Sequence, residues 1–342
     1  MNAGLIGITH AGTVLTGDRP TGPLHLGHYA GSLRQRVAMQ EAGYRCFVMV
    51  ADMQAYTDNA EDAAKVSAAI PELVADYVGV GIDPERTTVF LQSAVPELAE
   101  LTAVYMNLVT VSRLERNPTV REEIRQRGFE RDIPSGFLCY PASQAADITA
   151  FRATHVPVGD DQLPMIELAQ EIARKVNRIA GREVLPEPRA VLSKVTRLPG
   201  TDGKAKASKS LGNAIFLSDG PDTVREKVMS MFTDPGHLKV SDPGKVEGNA
   251  VFAYLDAFDP ARDEVEELKA RYRKGGLGDM PLKRRLADVL EAVIAPVRAR
   301  RTEAYADRGA VLEILREGSR AAREEAAAAL AEVRAGLGMF SL

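Results

Sequence analysis

Cysteine, tryptophan and long apolar runs are what this 342-residue chain has least of. Cys46 and Cys139 are its only cysteines, too few for a disulfide framework, and no C-x-x-C spacing or dense histidine cluster marks a structural zinc site. The apolar run from Cys46 to Ala51 falls far short of the ~18 residues that span a bilayer. At the N-terminus no basic stretch leads into a long apolar segment, so neither a secretory leader nor a membrane anchor is expected, and a reducing cytoplasm is the expected setting. A dominant charge sign is missing as well: 43 Lys and Arg against 47 Asp and Glu leave −4, which argues against a protein that coats nucleic acid through a globally basic surface. What is present is ordinary globular composition, 45% hydrophobic and 26% charged, enough for two domains of roughly 150 residues.

Periodicity organises the first half as alternating strands and helices. Val14 to Thr16 ends a short strand, Leu24 to Gln40 has helical spacing, and Tyr44 to Ala51 is the near-continuous apolar run of a strand covered on both faces. Glu61 to Tyr77 is an amphipathic helix and Thr87 to Leu91 is β-rich. This β-α-β-α-β order predicts a Rossmann-type doubly wound parallel sheet, with ligand beyond the carboxyl ends of the strands. From Glu97 to about Gly181 the pattern is mostly helical, broken by a strand from Thr154 to Val158 and a helix from Asp160 to Arg178. Beyond Asp219 no strand pattern remains: Pro281 to Asp307 and Ala310 to Arg334 read as long helices, with Pro296 expected to kink or break the first. The expected domains are therefore 1–218, with a largely helical insertion over about 97–185, and an all-helical 219–342. Between Lys269 and Arg301 ten Lys or Arg face three acids, a local +7 that fits contact with a polyanion.

Two segments carry chemistry. Thr16 to Gly31 follows the first strand and enters a helix; its glycines admit a close ligand, and the helix N-terminus offers N–H groups to phosphate. His25 and His28 in this segment are three apart and share a helical face. The second segment, Gly203 to Gly212, sets Lys204, Lys206 and Lys209 among small residues, where ammonium groups can close over a triphosphate and stabilise a departing pyrophosphate.

HLGH (25 to 28) and KASKS (206 to 210) together resemble the HIGH and KMSKS signatures of class I aminoacyl-tRNA synthetases, in the same order and with the same separation. RPTGPLHLGHYAGSL (19 to 33), YPASQAADI (140 to 148), VPVGDDQ (156 to 162) and SKSLGNAIFLSD (208 to 219) resemble the bacterial tryptophanyl-tRNA synthetase family. The resemblance spans at least Gly17 to Asp219. One departure is Ala207, where the family usually has Met; the loop's chemistry is expected to survive with weaker closed-state packing. The resemblance implies activation of L-tryptophan by ATP with Mg²⁺ on the phosphates, release of pyrophosphate, and transfer to the 3′-terminal ribose of tRNA(Trp). It also implies a homodimer, for which the apolar stretch Leu98 to Leu114 offers surface, and an anticodon-binding role for 219–342.

Residue by residue, the resemblance places His25, His28, Lys206 and Lys209 in catalysis. ATP falls to Arg19, Pro20, Thr21, Gly27, His28, Gly159, Asp160 and Asp161, with Lys206, Ala207, Ser208, Lys209 and Ser210 from the second loop. Tryptophan falls to Tyr140, Gln144, Asp147 and Gln162. A donor-only indole N–H calls for a fixed acceptor, and Asp147 supplies one. Gln144, where some members carry Met, pairs with substrate or with Asp147. Tyrosyl-tRNA synthetases are the near alternative, and a tRNA-binding paralogue without the housekeeping role is a further one. A small nucleotidyltransferase sharing the H-x-G-H site predicts a chain of half this length.

Overall fold

The computed structural model describes residues 12–129, 132–193, 198–209 and 211–340. β1 (Thr13–Asp18) leads into a short α1 (Leu26–His28), a π-helical turn (Tyr29–Leu33) and α2 (Arg34–Glu41). β2 (Arg45–Val50), α3 (Asp52–Asn59), α4 (Ala63–Val80) and β3 (Thr87–Leu91) follow, then a 3-10 turn (Gln92–Ala94) and α5 (Glu97–Met106). Next come α6 (Val111–Glu115), α7 (Pro118–Arg127), α8 (Ser135–Ala150), β4 (His155–Val158), a 3-10 turn (Asp160–Gln162), α9 (Leu163–Ala180) and β5 (Arg189–Leu192). The remainder is helical: α10 (Pro221–Met229), α11 (Ala250–Phe258), α12 (Arg262–Lys274), α13 (Asp279–Ala306) and α14 (Arg308–Gly336). Among the described residues no helix is long and apolar enough to cross a membrane.

The five strands pair in parallel in the order β3-β2-β1-β4-β5. The chain winds outward from β1 in both directions, so the switch point lies between β1 and β4, where a doubly wound sheet leaves a crevice at its carboxyl ends. β2 shows why the strands read as apolar runs: Val48 and Val50 join the core on one face while Phe47 and Met49 join the core on the other. α4 and α13 belong to the first core, and α5, α8, α9 and α14 to the second.

The expected helix over Leu24 to Gln40 is shorter and less regular than its spacing suggests. It starts at Leu26 because His25 caps it, and it passes through the π turn, a distortion common at functional sites. β5 has no counterpart in the sequence reading, since it is a four-residue edge strand with exposed ends and only Ala190 and Val191 half-buried. Pro296 does not break α13, because Leu290, Ile294 and Val297 are buried on either side of it and packing outweighs one lost backbone bond.

Part of the basic stretch from Lys269 to Arg301 is engaged in contacts within the chain, which reduces the charge it leaves open to a polyanion. Lys283 donates to the carbonyls of Met229 and Met231, Arg300 to that of Gly79 and Arg298 to that of Asp219. Arg285 pairs with Asp259 and Glu264, and Lys269 with Asp256 and Glu266. Arg301 pairs with the fully buried Asp76, whose other oxygen accepts the Leu24 N–H at 2.8 Å. Six of the ten cations thus fasten α13 and its neighbours to the rest of the chain; Arg273 pairs with Glu247 at the surface, and Arg271, Lys274 and Arg284 are exposed.

α14 lies directly on β3. A Cβ at Gly318 would stand 1.9 Å from the Val89 carbonyl oxygen, and the neighbouring Ser319 hydroxyl accepts the Leu91 N–H at 3.0 Å. In a free helix Gly→Ala stabilises by up to ~1 kcal/mol. Here the sign is reversed: Gly318→Ala is expected to destabilise the chain by about 1–3 kcal/mol through overpacking, as read from the urea midpoint, and a gain in stability would contradict this contact.

Candidate active site

The carboxyl ends of β1 and β4 open into a cleft of about 940 Å³. Its walls come from sequence segments far apart, and local hydrogen bonding accounts for how they meet. The chain after the KASKS loop runs antiparallel to the entry of α1: Leu26 donates to the Ile215 carbonyl at 2.9 Å and Leu217 donates to that of Leu24 at 2.9 Å. This pairing lays Ala207, only 4% exposed, against Gly27, where a Cβ would come within 3.9 Å of the alanine methyl. The same Cβ would stand 2.7 Å from the His25 ring, so glycine is what lets that ring fold back over the helix start. The loop itself is shaped by the buried Asn213, whose oxygen accepts the Ser208 N–H at 2.8 Å while its amide reaches Asp202 and the Lys206 carbonyl.

His25 and His28 meet with ring centroids 3.9 Å apart. His25 Nδ1 accepts the Gly27 N–H at 3.0 Å, and His28 Nδ1 accepts the His25 N–H at 3.2 Å. A backbone donor on each Nδ1 fixes the tautomer and puts the ring proton on Nε2. Burial keeps both rings neutral. Burial, then His28 and the two cleft lysines, lower the His25 pKa to about 2; burial, then Lys209, Arg36 and Lys206, lower that of His28 to about 4 against the pull of Asp18.

Lys206 and Lys209 both line the cleft, and the Lys209 ammonium donates to the Gly22 carbonyl at 2.7 Å, with burial lowering its pKa. Lys204 is exposed and not among the lining residues. Arg19 and Thr21 line the cleft, whereas Pro20 is buried behind it. Gly159, Asp160 and Asp161 follow β4 on the opposite wall, and a Cβ at Gly159 would stand 2.7 Å from an Asp161 carboxylate oxygen. Ser208 lines the cleft, and Ser210 lies outside the described residues.

Tyr140, Gln144 and Asp147 reach the cleft together from α8, joined by Gln162. Gln144 donates to Gln162 at 3.4 Å rather than to Asp147, and the Tyr140 hydroxyl donates to Glu123 at 2.8 Å. Asp147, 1% exposed, accepts from Gln92 and Gln54, and burial pushes its pKa up to about 7 against those two amides.

Sequence reasoning missed Gln54, Gln92, Glu123 and the Asp18–Arg36 pair. Asp18 ends β1 beneath His28. Burial alone would raise its carboxyl, but Arg36 and the Tyr77 hydroxyl at 2.9 Å hold it at about 2. Its place two residues after a strand core in a Gly-Asp-Arg segment was the available signal. Nothing in the sequence pointed to Gln92, which is brought in by β3.

Histidines that fold neutral make stability depend on pH. The unfolded rings take up protons below about 6.5, whereas folded His28 does so only near 4, so stability is full above 6.5 and falls as pH drops towards 4. Urea titrations should show wild type losing about 1–2 kcal/mol more than His28→Gln between pH 7 and pH 5; equal losses would mean that His28 is charged when folded.

The family model described as tRNA synthetases class I (W and Y) matches residues 9–295. A tryptophan–tRNA ligase of Clostridium longisporum is 59% identical over 329 residues, covering 95% of this chain and 96% of the relative. The tryptophanyl-tRNA synthetase of Campylobacter jejuni, crystallised with ADP and tryptophan, superposes with a TM-score of 0.80 at 31% identity, over 96% of this chain and 100% of that one. That of Mycoplasma pneumoniae superposes at 0.82 with 25% identity, over 97% and 99% of the two chains. These relatives set aside the tyrosine and nucleotidyltransferase alternatives: the chain belongs to the class I aminoacyl-tRNA synthetases and, within them, to the tryptophan–tRNA ligases.

Proposed function

We propose that the cleft between β1 and β4 carries both steps of tryptophan–tRNA ligation, with the residues named above in distinct roles. The observation that carries this reading is the convergence of His25 and His28 with Lys206 and Lys209 in one cleft that also holds Asp147. ATP as co-substrate is supported by the ADP bound in the Campylobacter relative. In the first step a tryptophan carboxylate oxygen attacks the α-phosphorus and the bond to pyrophosphate breaks. In the second, a hydroxyl of the tRNA 3′-terminal ribose attacks the acyl carbon, loses its proton, and AMP leaves.

The chain supplies position and charge rather than a nucleophile. His25 and His28 each present one Nε2–H to phosphoryl oxygens without adding positive charge to that of Lys206 and Lys209. Lys209, resting on the Gly22 carbonyl, moves onto the phosphates with the loop. Arg19 and Thr21 flank them, and Ser208 with Ser210 and Ala207 continues the loop's contact with ATP. Gly27 and Gly159 admit the nucleotide closely, while Asp160 and Asp161 accept from the ribose hydroxyls. Asp147 accepts the indole N–H, and Gln162 with the Tyr140–Glu123 pair receives the substrate ammonium. Among the described residues no three His, Cys, Asp or Glu side chains converge to hold an ion. Mg²⁺ would therefore draw its ligands mainly from the ATP phosphates and water, and there it would neutralise charge on the departing pyrophosphate.

Residues 1–218 form the catalytic domain in this reading, and 219–342 contain the anticodon-binding surface, so tRNA(Trp) bridges both. A homodimer in the cytoplasm completes it. Val111 is 59% and Met106 42% exposed at the end of the apolar stretch beginning at Leu98, which gives a partner copy apolar surface to cover. Sedimentation at micromolar concentration should give twice the 37.0 kDa chain mass, and an active species of single mass would refute the dimer.

Tryptophan-dependent ATP–pyrophosphate exchange tests the chemistry. Lys209→Ala and His28→Ala should each lower the exchange rate by about 10²-fold or more, the scale of removing one preorganised donor, with little change in KM for tryptophan. Unchanged single-turnover adenylation in Lys209→Ala would remove that lysine from the transition state.

A further inference from the structure

The carboxylate assigned to the indole is not left to orient itself. Gln92 stands in the 3-10 turn that continues β3, 3% exposed, and its amide nitrogen donates to both oxygens of Asp147, at 2.9 and 3.0 Å. Its amide oxygen accepts the Gln54 backbone N–H at 3.1 Å, at the start of α3. An amide held by an acceptor at one end and a donor at the other has one allowed orientation, so its NH₂ always faces Asp147. The turn carrying Gln92 is pinned in its own right, since the Ser93 N–H donates to the buried Asp52 at 3.0 Å.

The Gln54 side chain adds a third contact: its amide nitrogen reaches Asp147 at 3.3 Å and the Ser143 hydroxyl at 3.1 Å. A carboxylate has about four acceptor positions. Gln92 shares its donor between the two oxygens and Gln54 reaches one of them, so acceptor capacity remains for a further donor.

We propose that Gln92 is a positioning residue for amino-acid selection: locked by the α3 backbone, it fixes the plane of the Asp147 carboxylate and, with Gln54, leaves its remaining acceptor capacity for a donor on the substrate side chain. The inference rests on the assignment of Asp147 to the indole N–H and explains what makes that contact selective. A carboxylate free to rotate, or short of donors, would take water or another side chain in place of the indole. Held by two amides, it is satisfied only when the substrate brings an N–H. The indole contact is remote from the reacting carboxylate and is made equally in ground and transition states, so its loss appears in KM and not in kcat.

The test is pyrophosphate exchange with tryptophan and with benzothienylalanine, its sulfur analogue that lacks the N–H, on wild type, Gln92→Met, Gln92→Glu and Asp147→Asn. Gln92→Met fills the same space without donors. Gln92→Glu keeps the acceptor for the Gln54 N–H but turns an oxygen towards Asp147, and it remains informative if the Met variant does not fold. Both Gln92 variants should raise KM for tryptophan by about tenfold or more, with kcat and KM for ATP within about twofold of wild type, and should lower the preference for tryptophan over the analogue. Wild-type KM and preference in the Gln92 variants, beside a lost preference in Asp147→Asn, would overturn the role of Gln92 while leaving Asp147 in place. An undiminished preference in Asp147→Asn would overturn both assignments. A parallel fall in kcat and rise in both KM values would mark Gln92 as a general support of the fold and also overturn the proposal.

Discussion

The site depends on a short backbone pairing between segments nearly two hundred residues apart. Leu24 and Leu26 exchange hydrogen bonds with Leu217 and Ile215, and through them the lysine loop is held over the histidine turn. Without that pairing the two signatures are separate loops on one sheet edge. With it, Ala207 rests on Gly27, and the lysines and the histidines line one cleft. Asp76 reinforces the arrangement from beneath, holding the Leu24 N–H while it pairs with Arg301 of α13. The helical part of the chain is thereby linked through Asp76 to the backbone that presents His25.

Burial sets the charge states around this frame, with opposite consequences for its bases and acids. The histidines stay neutral donors, so they add no charge to the cations that line the cleft, Arg19, Lys65, Lys206 and Lys209 among them. Asp18 stays ionised because Arg36 and Tyr77 satisfy it, and its charge is answered internally. Asp147 is buried without a cation and sits near neutrality, poised for a donor that favours its ionised form. In the proposed function an anionic triphosphate and an indole N–H are thus met by separate devices in one cleft.

Much of the fold and site was legible in the sequence because the informative signals were local. The apolar run over β2, the β-branched β3 and the amphipathic α9 announce themselves by period, and the HLGH and KASKS segments by composition. What was not legible depends on tertiary partners. The cations of α13 read as charge open to a polyanion until Asp76, Asp259 and the carbonyls of Met229 and Met231 are seen to receive some of them. Gln144, expected to pair with substrate or with Asp147, donates to Gln162, and the amide that reaches Asp147 is that of Gln92, from the turn after β3. Pro296 signals a break that packing overrides.

The central claim is that paired backbone N–H groups and burial hold His25 and His28 as neutral Nε2–H donors beside a cationic loop. Nitrogen-15 NMR of the two imidazole rings at pH 6 reads this directly, because ring nitrogens with and without a proton resonate far apart. The account predicts that both rings carry a single proton, on Nε2, with Nδ1 unprotonated. An imidazolium signal, or a proton on Nδ1 of either ring at that pH, would contradict it.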